Sequence, residues 1–459
     1  MQIQEAIVET TEYRLVLVLP DSRKVLATSA VEGYRLPTIS IPQWTRPAEQ
    51  LQKAIKAEWD VHVIVLDFLP SSETSLVCAV AEVLVAEESS DLTAIEAERL
   101  QIIELQEQQQ AQLKLMLAGG SGLDSPFSHI GWIDEAILWL ESETGKTISS
   151  KGDIEQYNAG GAFALVRFHT EDHHDYWLKA TGEPNAHEPS VTRFLSTLCG
   201  DYLPEIVSSR PAWNAWLMSG EAVRVDELPK DPFQLFTLLE DAVGSMAELQ
   251  MKTQGCSTDL LCAGAFDQGM QVFQKHSVEL FDYLEEAMNL QTSTKAPRLE
   301  KKRLLEIRTI LEKVCERMED LGISETIVHG DLNQGNILTG VGHCQFIDWS
   351  EAYLGNPLIS LQHLLLLNKV GNVEVRDFIN LVLKKRYLDV WTDSCDTNAV
   401  RKGFAYMPML AVASTLYGRG NWLSSLQRND PRRQEYARSL ARHMDLAAQE
   451  PILLEALCQ

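Results

Sequence analysis

The stretch from Ile327 to Asp348 constrains this chain more than any other, because it alternates very short apolar runs with polar clusters. Ile327-Val328 leads as a buried strand into His329-Gly330-Asp331. Asn336 follows, then the apolar pair Ile337-Leu338, a Gly-rich turn from Thr339 to Gly342, and a second run, Gln345 to Ile347, that ends at Asp348. Two short runs around such a turn predict a hairpin. Two carboxylates and an amide then stand at the ends of paired strands, where their side chains can converge.

That set of side chains suits phosphoryl transfer. Charge on a transferred phosphoryl group is neutralised by a divalent metal held through hard oxygen ligands. Asn336 and Asp348 can supply such oxygens. A further carboxylate must orient the attacking hydroxyl and take its proton, and Asp331 has the right place. A lone Asp more often caps a turn. The combined spacing H-G-D-x-x-x-x-N, followed by an apolar-apolar-Asp-Trp end, is far more specific than either acid alone.

The rest of the chain falls into zones. Strand-like runs occupy Tyr13 to Leu19, Val61 to Leu69 and Thr74 to Val85, with one helix from Pro47 to Trp59. A helical, glutamine-rich pattern is expected from Leu92 to Leu117, ended by Ala118-Gly119-Gly120-Ser121-Gly122. Trp132 to Glu143 reads as one more helix, and the main boundary is placed near residue 148. Beyond it, Phe163 to Phe168 and Tyr176 to Ala180 flank a polar turn as a hairpin would, and a helix is expected from about Pro189 to Leu198. From about residue 231 the chain is largely helical. Leu304, Ile307, Leu311, Val314, Cys315 and Met318 form one apolar stripe there. Sheet followed by helices predicts an α+β fold.

The Ile327–Leu361 segment resembles the catalytic core of the aminoglycoside phosphotransferase and choline kinase group, a branch of the protein-kinase-like fold. Protein kinases carry H-R-D-x-x-x-x-N and D-F-G. Here Gly330 stands in place of the Arg, and Trp349-Ser350 in place of Phe-Gly, which favours a small-molecule kinase. The resemblance spans about residues 150–450 and implies two lobes, 149–220 and 221–459. It also implies ATP, with GTP as the alternative nucleotide, and Mg2+ as cofactors. Lys179, on the strand Tyr176 to Ala180, would reach the phosphates, and Glu188 would pair with it. Gly160 and Gly161 would form the loop over the phosphates. Ala215 to Gly220, with Met218, would be the link that holds the base. Two departures stand out: Asn356 and Ser360 occupy positions where the family often has Asp. Glu351, Asp377, Asp389, Asp393 and Asp396 are available to a cationic acceptor.

Residues 1–148 hold a second resemblance, to a Nudix hydrolase fold with a helical linker. In the stretch matching its metal-binding box, Lys53, Ala54, Ala57 and Asp60 stand where the box needs Arg, Glu, Glu and Gly. Only Glu58 keeps a metal-binding acid. A degenerate domain without hydrolase activity is expected, serving packing, dimerisation or ligand sensing.

Composition narrows the partners. With 40 basic and 65 acidic residues the net charge is −25, which argues against nucleic acid and, more weakly, against anionic membranes. No apolar stretch is long enough to span a bilayer, and the start, Met1 to Glu5, lacks a basic region before an apolar run. The eight cysteines are scattered without a C-x-x-C pair, as expected of buried thiols in the cytoplasm. The leading expectation is a phosphotransferase acting on a hydroxyl of an aminoglycoside, another amino sugar or an amino alcohol. The alternative is a nucleotide-binding regulatory pseudo-kinase whose Nudix-like domain senses a ligand.

Overall fold

The structure is a computed structural model. It describes residues 9–31, 33–43, 46–69, 76–86, 91–97, 105–119, 125–220, 223–224, 229, 231–339, 343–392, 396–420, 423 and 426–458. Gly120 to Gly122, Gly340 to Gly342, Asp393 and Cys395 lie outside the described residues. The chain divides into two compact units: residues 1–189 with 205–221, and residues 190–204 with 222–459.

The first unit begins with β1 (Thr10–Val18), β2 (Val25–Ala30), β3 (Gly33–Arg35), β4 (Thr38–Pro42), α1 (Pro47–Trp59), β5 (Val61–Leu69), β6 (Leu76–Ala86) and β7 (Thr93–Ile95). These strands form one mixed sheet, ordered β3-β2-β1-β6-β5, with β4 also on β1 and β7 on β2. β1 runs parallel to β6, and its remaining pairings are antiparallel. Thr93 to Ile95 was expected to be helical. It is instead a strand that pairs with Val25 to Ala27, so an open sheet edge decides its state against its local pattern.

α1 forms where Pro47 presets the first turn and Ala48, Leu51 and Ile55 recur on one buried face. It ends at Asp60, which takes φ 53, the left-handed conformation that glycine adopts without strain. The second half of β1, Leu15 to Val18, is buried on both faces, which explains its continuous apolar run. Leu15 and Leu17 join a core with Leu51 and Ile55 of α1. Val16 and Val18 join a different core on the opposite face.

That second core has partners further along the chain. After α2 (Glu107–Leu117) and α3 (Trp132–Thr144) come β8 (Glu155–Asn158), β9 (Ala164–His169), β10 (Asp175–Ala180), α4 (Glu188–Cys199), β11 (Glu205–Arg210) and β12 (Ala215–Ser219). The five strands make an antiparallel sheet ordered β11-β12-β10-β9-β8. Val166, Phe168, Leu178 and Leu217 from this sheet pack in the same cluster as Val16, Ile64 and Leu66 from the first sheet and Trp132 and Leu140 from α3. The two sheets share one hydrophobic core. Strand alternation then turns Trp177 and Lys179 of β10 to the other face.

The second unit takes up α4 from Ser190 onward. It continues through β13 (Val223–Arg224), α5 (Pro232–Lys252), α6 (Ser257–Ala263), β14 (Phe266–Asp267), α7 (Met270–Asn289), α8 (Lys301–Asp320), β15 (Thr326–Val328), β16 (Ile337–Thr339), β17 (Cys344–Phe346) and β18 (Tyr353–Gly355). It ends in α9 (Leu358–Leu366), α10 (Val373–Trp391), α11 (Thr397–Gly403), α12 (Met407–Tyr417), α13 (Pro431–Ala447) and α14 (Pro451–Cys458). The six apolar stripe residues of α8 are all buried. Two three-stranded sheets, β13-β16-β17 and β14-β18-β15, carry the polar segment described above. Among the described residues, no helix is long and apolar enough to cross a membrane.

Candidate active site

β15 delivers the chain to His329, which is fully buried. Its Nε2 donates to the Ile347 carbonyl at 2.8 Å, and its ring packs on Trp349 with centroids 4.6 Å apart. Trp349 is itself fixed by its Nε1–H, which donates to the Phe346 carbonyl at 3.0 Å. The loop that starts after β15 is thereby tied to the end of β17.

Gly330 follows with φ +81. A Cβ built there would lie 2.1 Å from the Glu351 carbonyl oxygen. The backbone of the Asp348–Glu351 turn therefore occupies the space a side chain would need.

Asp331 is exposed, and Asn336 is buried. The Asn336 amide nitrogen donates to the Asp331 carbonyl at 2.8 Å and approaches its carboxylate at 3.3 Å. A short turn at Gln334–Asn336, capped by Asn333, brings the side chain back to Asp331. Immediately after it, β16 pairs with β17, and the Ile347 N–H donates to the Asn336 carbonyl at 3.1 Å. Asp348 is the next residue, so Asn336 and Asp348 flank one end of the ladder. Asp348 takes φ 67, and the Ser350 hydroxyl donates to its Oδ1 at 3.1 Å.

Residues far away in sequence complete this region. Arg419 follows α12 and is almost buried. It donates to the Glu351 carboxylate at 2.8 and 3.3 Å and to the Ser350 carbonyl at 3.0 Å. Glu351 is thus committed to Arg419 rather than open to a cationic ligand. Asp389 pairs with Lys385 at 2.6 Å, and Asp396 caps α11 through the Asn398 N–H at 2.9 Å. Asp377 stands 3.9 Å from Arg376. The side-chain oxygen of the buried Asn356 accepts from the Leu358 N–H at 3.0 Å, in the turn that leads into α9.

The charge of Asp331 reaches two aromatic groups. One is His363 of α9. Burial, together with the His329 imidazole, pushes it down to about 4, against the pull of Asp331. The other is Tyr436 of α13, whose ring is largely exposed and whose hydroxyl is raised by partial desolvation and then by the charge of Asp331. No motif marks Arg419, His363 or Tyr436; each comes from a helical segment whose placement is set by packing.

A neutral His363 gives an expected pH effect. A histidine whose folded value lies below its unfolded 6.5 contributes full stability above pH 6.5 and loses it as the pH falls toward 4. Part of the side chain remains open to solvent, so the ceiling is about 3 kcal/mol. Urea unfolding at pH 7 and pH 4.5 should show that loss, and His363→Gln should reduce it. An unchanged acid limb in the variant would remove His363 as its source.

The remaining expected site residues lie in the first unit. Lys179 and Glu188 meet, Nζ to Oε1, at 2.5 Å, with side chains 16% and 1% exposed. A charge as deeply buried as Glu188 needs such a partner. Lys179 also lies over the Trp216 ring at 5.7 Å, because β10 and β12 pair Lys179 with Trp216. Met218 is instead opposite Trp177. Gly160 and Gly161 form the turn between β8 and β9, with φ +108 and +60.

The RIO domain family model matches residues 284–357, which include the H-G-D, Asn336 and Asp348 positions. No curated protein matches the chain. Among solved structures, a macrolide 2'-phosphotransferase from Brachybacterium faecium is similar at 16% identity, covering 67% of this chain and 96% of that one, with a TM-score of 0.44. A choline/ethanolamine kinase family protein from Mesorhizobium loti is similar at 16% identity, covering 71% and 98%, with a TM-score of 0.43. A Plasmodium vivax ethanolamine kinase is similar at 12% identity, covering 67% and 84%, with a TM-score of 0.43.

Proposed function

We propose that this chain is an ATP- and magnesium-dependent phosphotransferase that acts on a hydroxyl of a small molecule. The observation that carries the reading is the loop in which Asn336 bonds back to Asp331 and abuts the ladder end leading into Asp348. The reading places the chain with the aminoglycoside phosphotransferase and choline kinase group. Residues 1–148 would then be its degenerate Nudix-like domain, 149–220 the smaller lobe and 221–459 the helical lobe.

The donor set fits magnesium. The Asn336 amide nitrogen is spent on Asp331, which leaves its carbonyl oxygen as the end for a cation. Asn336 and Asp348 are two hard oxygen ligands, too few for a site of their own. Magnesium usually completes its shell with water and substrate phosphates. Among the described residues there is no cluster of three or more His, Cys, Asp or Glu that would hold a metal alone. When bound, the ion would neutralise charge on the phosphates.

The chain's own residues would do the rest. Asp331, exposed at the loop, would orient the acceptor hydroxyl and take its proton. Lys179, fixed by Glu188, would hold phosphate oxygens. Tyr436 and His363, within the field of Asp331, would line the acceptor side. Of the seven described cysteines, all free, Cys78, Cys199, Cys315 and Cys344 are buried as expected, whereas Cys256 is half-buried and Cys262 and Cys458 are exposed.

Thermal unfolding with and without ATP tests the reading. At a nucleotide concentration of about 100 times Kd, binding should add about 2.7 kcal/mol of stability. Chelating magnesium, or Asp348→Ala, should abolish most of that gain. Equal stabilisation of the Asp348→Ala protein would remove Asp348 from the metal site.

A further inference from the structure

The turn at Gly160–Gly161 is gripped from outside its own sheet. Phe68, at the end of β5, lies against it: ring carbons stand 3.4 and 3.9 Å from where a Gly160 Cβ would be. The Ser125 hydroxyl donates to the Gly161 carbonyl. Asp67, only 4% exposed, accepts from the Phe68 N–H at 2.8 Å and from the Ser128 hydroxyl at 3.2 Å, and the Gly161 amide faces the same carboxylate. Burial pushes this carboxyl up from its ordinary value, so the fold keeps an acid where it is unfavourable.

The strand leading into the turn is held in the same way. The Gln156 side chain makes two bonds to the Val65 backbone, at 2.7 and 2.9 Å. Gln52 of α1 donates to the Ile154 and Val63 carbonyls at 2.7 and 3.0 Å and accepts from the Gln156 N–H at 3.0 Å. His62 bonds the Gly152 carbonyl at 2.6 Å. A polar seam thus runs from residue 52 to residue 68 on one side and from 152 to 161 on the other.

We propose that the amino-terminal sheet is a brace for the glycine turn, with Asp67, Phe68 and Ser125 as positioning residues that hold it ready for nucleotide phosphates. The proposal rests on the phosphotransferase reading and gives residues 1–148 a task within it. A glycine turn free to wander must be ordered each time it closes on an anion, and that ordering is charged against affinity. A turn already fixed from behind has little left to lose. The brace acts only through Gly160 and Gly161: with the Gly161 amide turned to Asp67 and its carbonyl to Ser125, it sets the shape of the turn and does not itself donate to phosphate.

The test uses the full chain with Ser125→Ala and Phe68→Leu, two substitutions small enough to keep the fold, beside Lys179→Ala. Amide hydrogen exchange at residues 158–162 should speed up in the first two. Their Kd for magnesium with a non-hydrolysable ATP analogue should rise by about three- to tenfold, with kcat less affected. Unchanged exchange in both variants would overturn the brace. Faster exchange with wild-type Kd would overturn its role toward phosphates. If Lys179→Ala also binds nucleotide as well as the wild type, the nucleotide reading falls with it. A weakened Lys179→Ala beside unaltered Ser125 and Phe68 variants sinks the brace alone.

Discussion

Asp331→Asn is expected to lower kcat by about 10²–10⁴-fold while ATP affinity stays near its wild-type value. The substitution keeps the shape of the side chain and removes both the proton acceptor and the negative charge. It also leaves the loop standing, because the shorter Asn336 bond goes to the Asp331 backbone carbonyl, at 2.8 Å, which the substitution does not touch. Positioning and proton removal are therefore lost without loss of structure. Isothermal titration of ATP beside a turnover assay separates the two. The acceptor for that assay comes from a screen of aminoglycosides, choline, homoserine and amino sugars. Wild-type kcat in the variant, or outright loss of ATP binding, would overturn the role given to Asp331. A purely regulatory nucleotide-binding chain would show no turnover in either form.

A comparable loss is expected from Gly330→Ala, for a different reason. The added methyl group meets a backbone oxygen at 2.1 Å, and that oxygen belongs to Glu351, whose neighbourhood is locked by Arg419. Neither partner is a flexible side-chain end that can swing away. The left-handed φ of +81 adds about 1–2 kcal/mol of strain for any residue with a Cβ. Relief requires the Asp331 loop or the Asp348 turn to move by about an ångström, and such misplacement can reduce rate about 10²-fold. The measurement is kcat with Tm on the same preparation. A Gly330→Ala protein with wild-type activity would show that the two loops need not touch. A serine at the same position should behave like alanine.

The candidate site was legible in sequence where it is local. Asn336 lies one short turn from Asp331, and Asp348 lies one residue beyond the strand that pairs after Asn336, so spacing alone brought them together. Lys179 and Glu188 are also near neighbours along the chain. Arg419, His363 and Tyr436 were not legible. They stand on segments whose apolar pattern says which face is buried but not which loop that face will meet. The same limit hid the use of Glu351, whose carboxylate looks free until α12 places Arg419 beside it. In the fold, α1 and β5 were readable to the residue because Pro47, the buried stripe and the turn at Asp60 all agree. Thr93 to Ile95 was not, since its strand exists only through β2. The change of pattern near residue 148 is visible in the sequence. That residues on both sides of it fill one core is not, because periodicity does not name its partners.

That shared core ties the histories of the two sheets together. Val16, Ile64 and Leu66 touch no reacting group, yet they fill the same interior as Phe168, Leu178 and Leu217 beneath the strand that carries Lys179. A volume change on one side has to be answered by a compensating change on the other. The core positions of residues 10–86 are therefore not free to drift in shape, whatever else that region does. Across related sequences, the expected trace is paired variation between these two sets of core positions, with loose constraint on the outward face of α1.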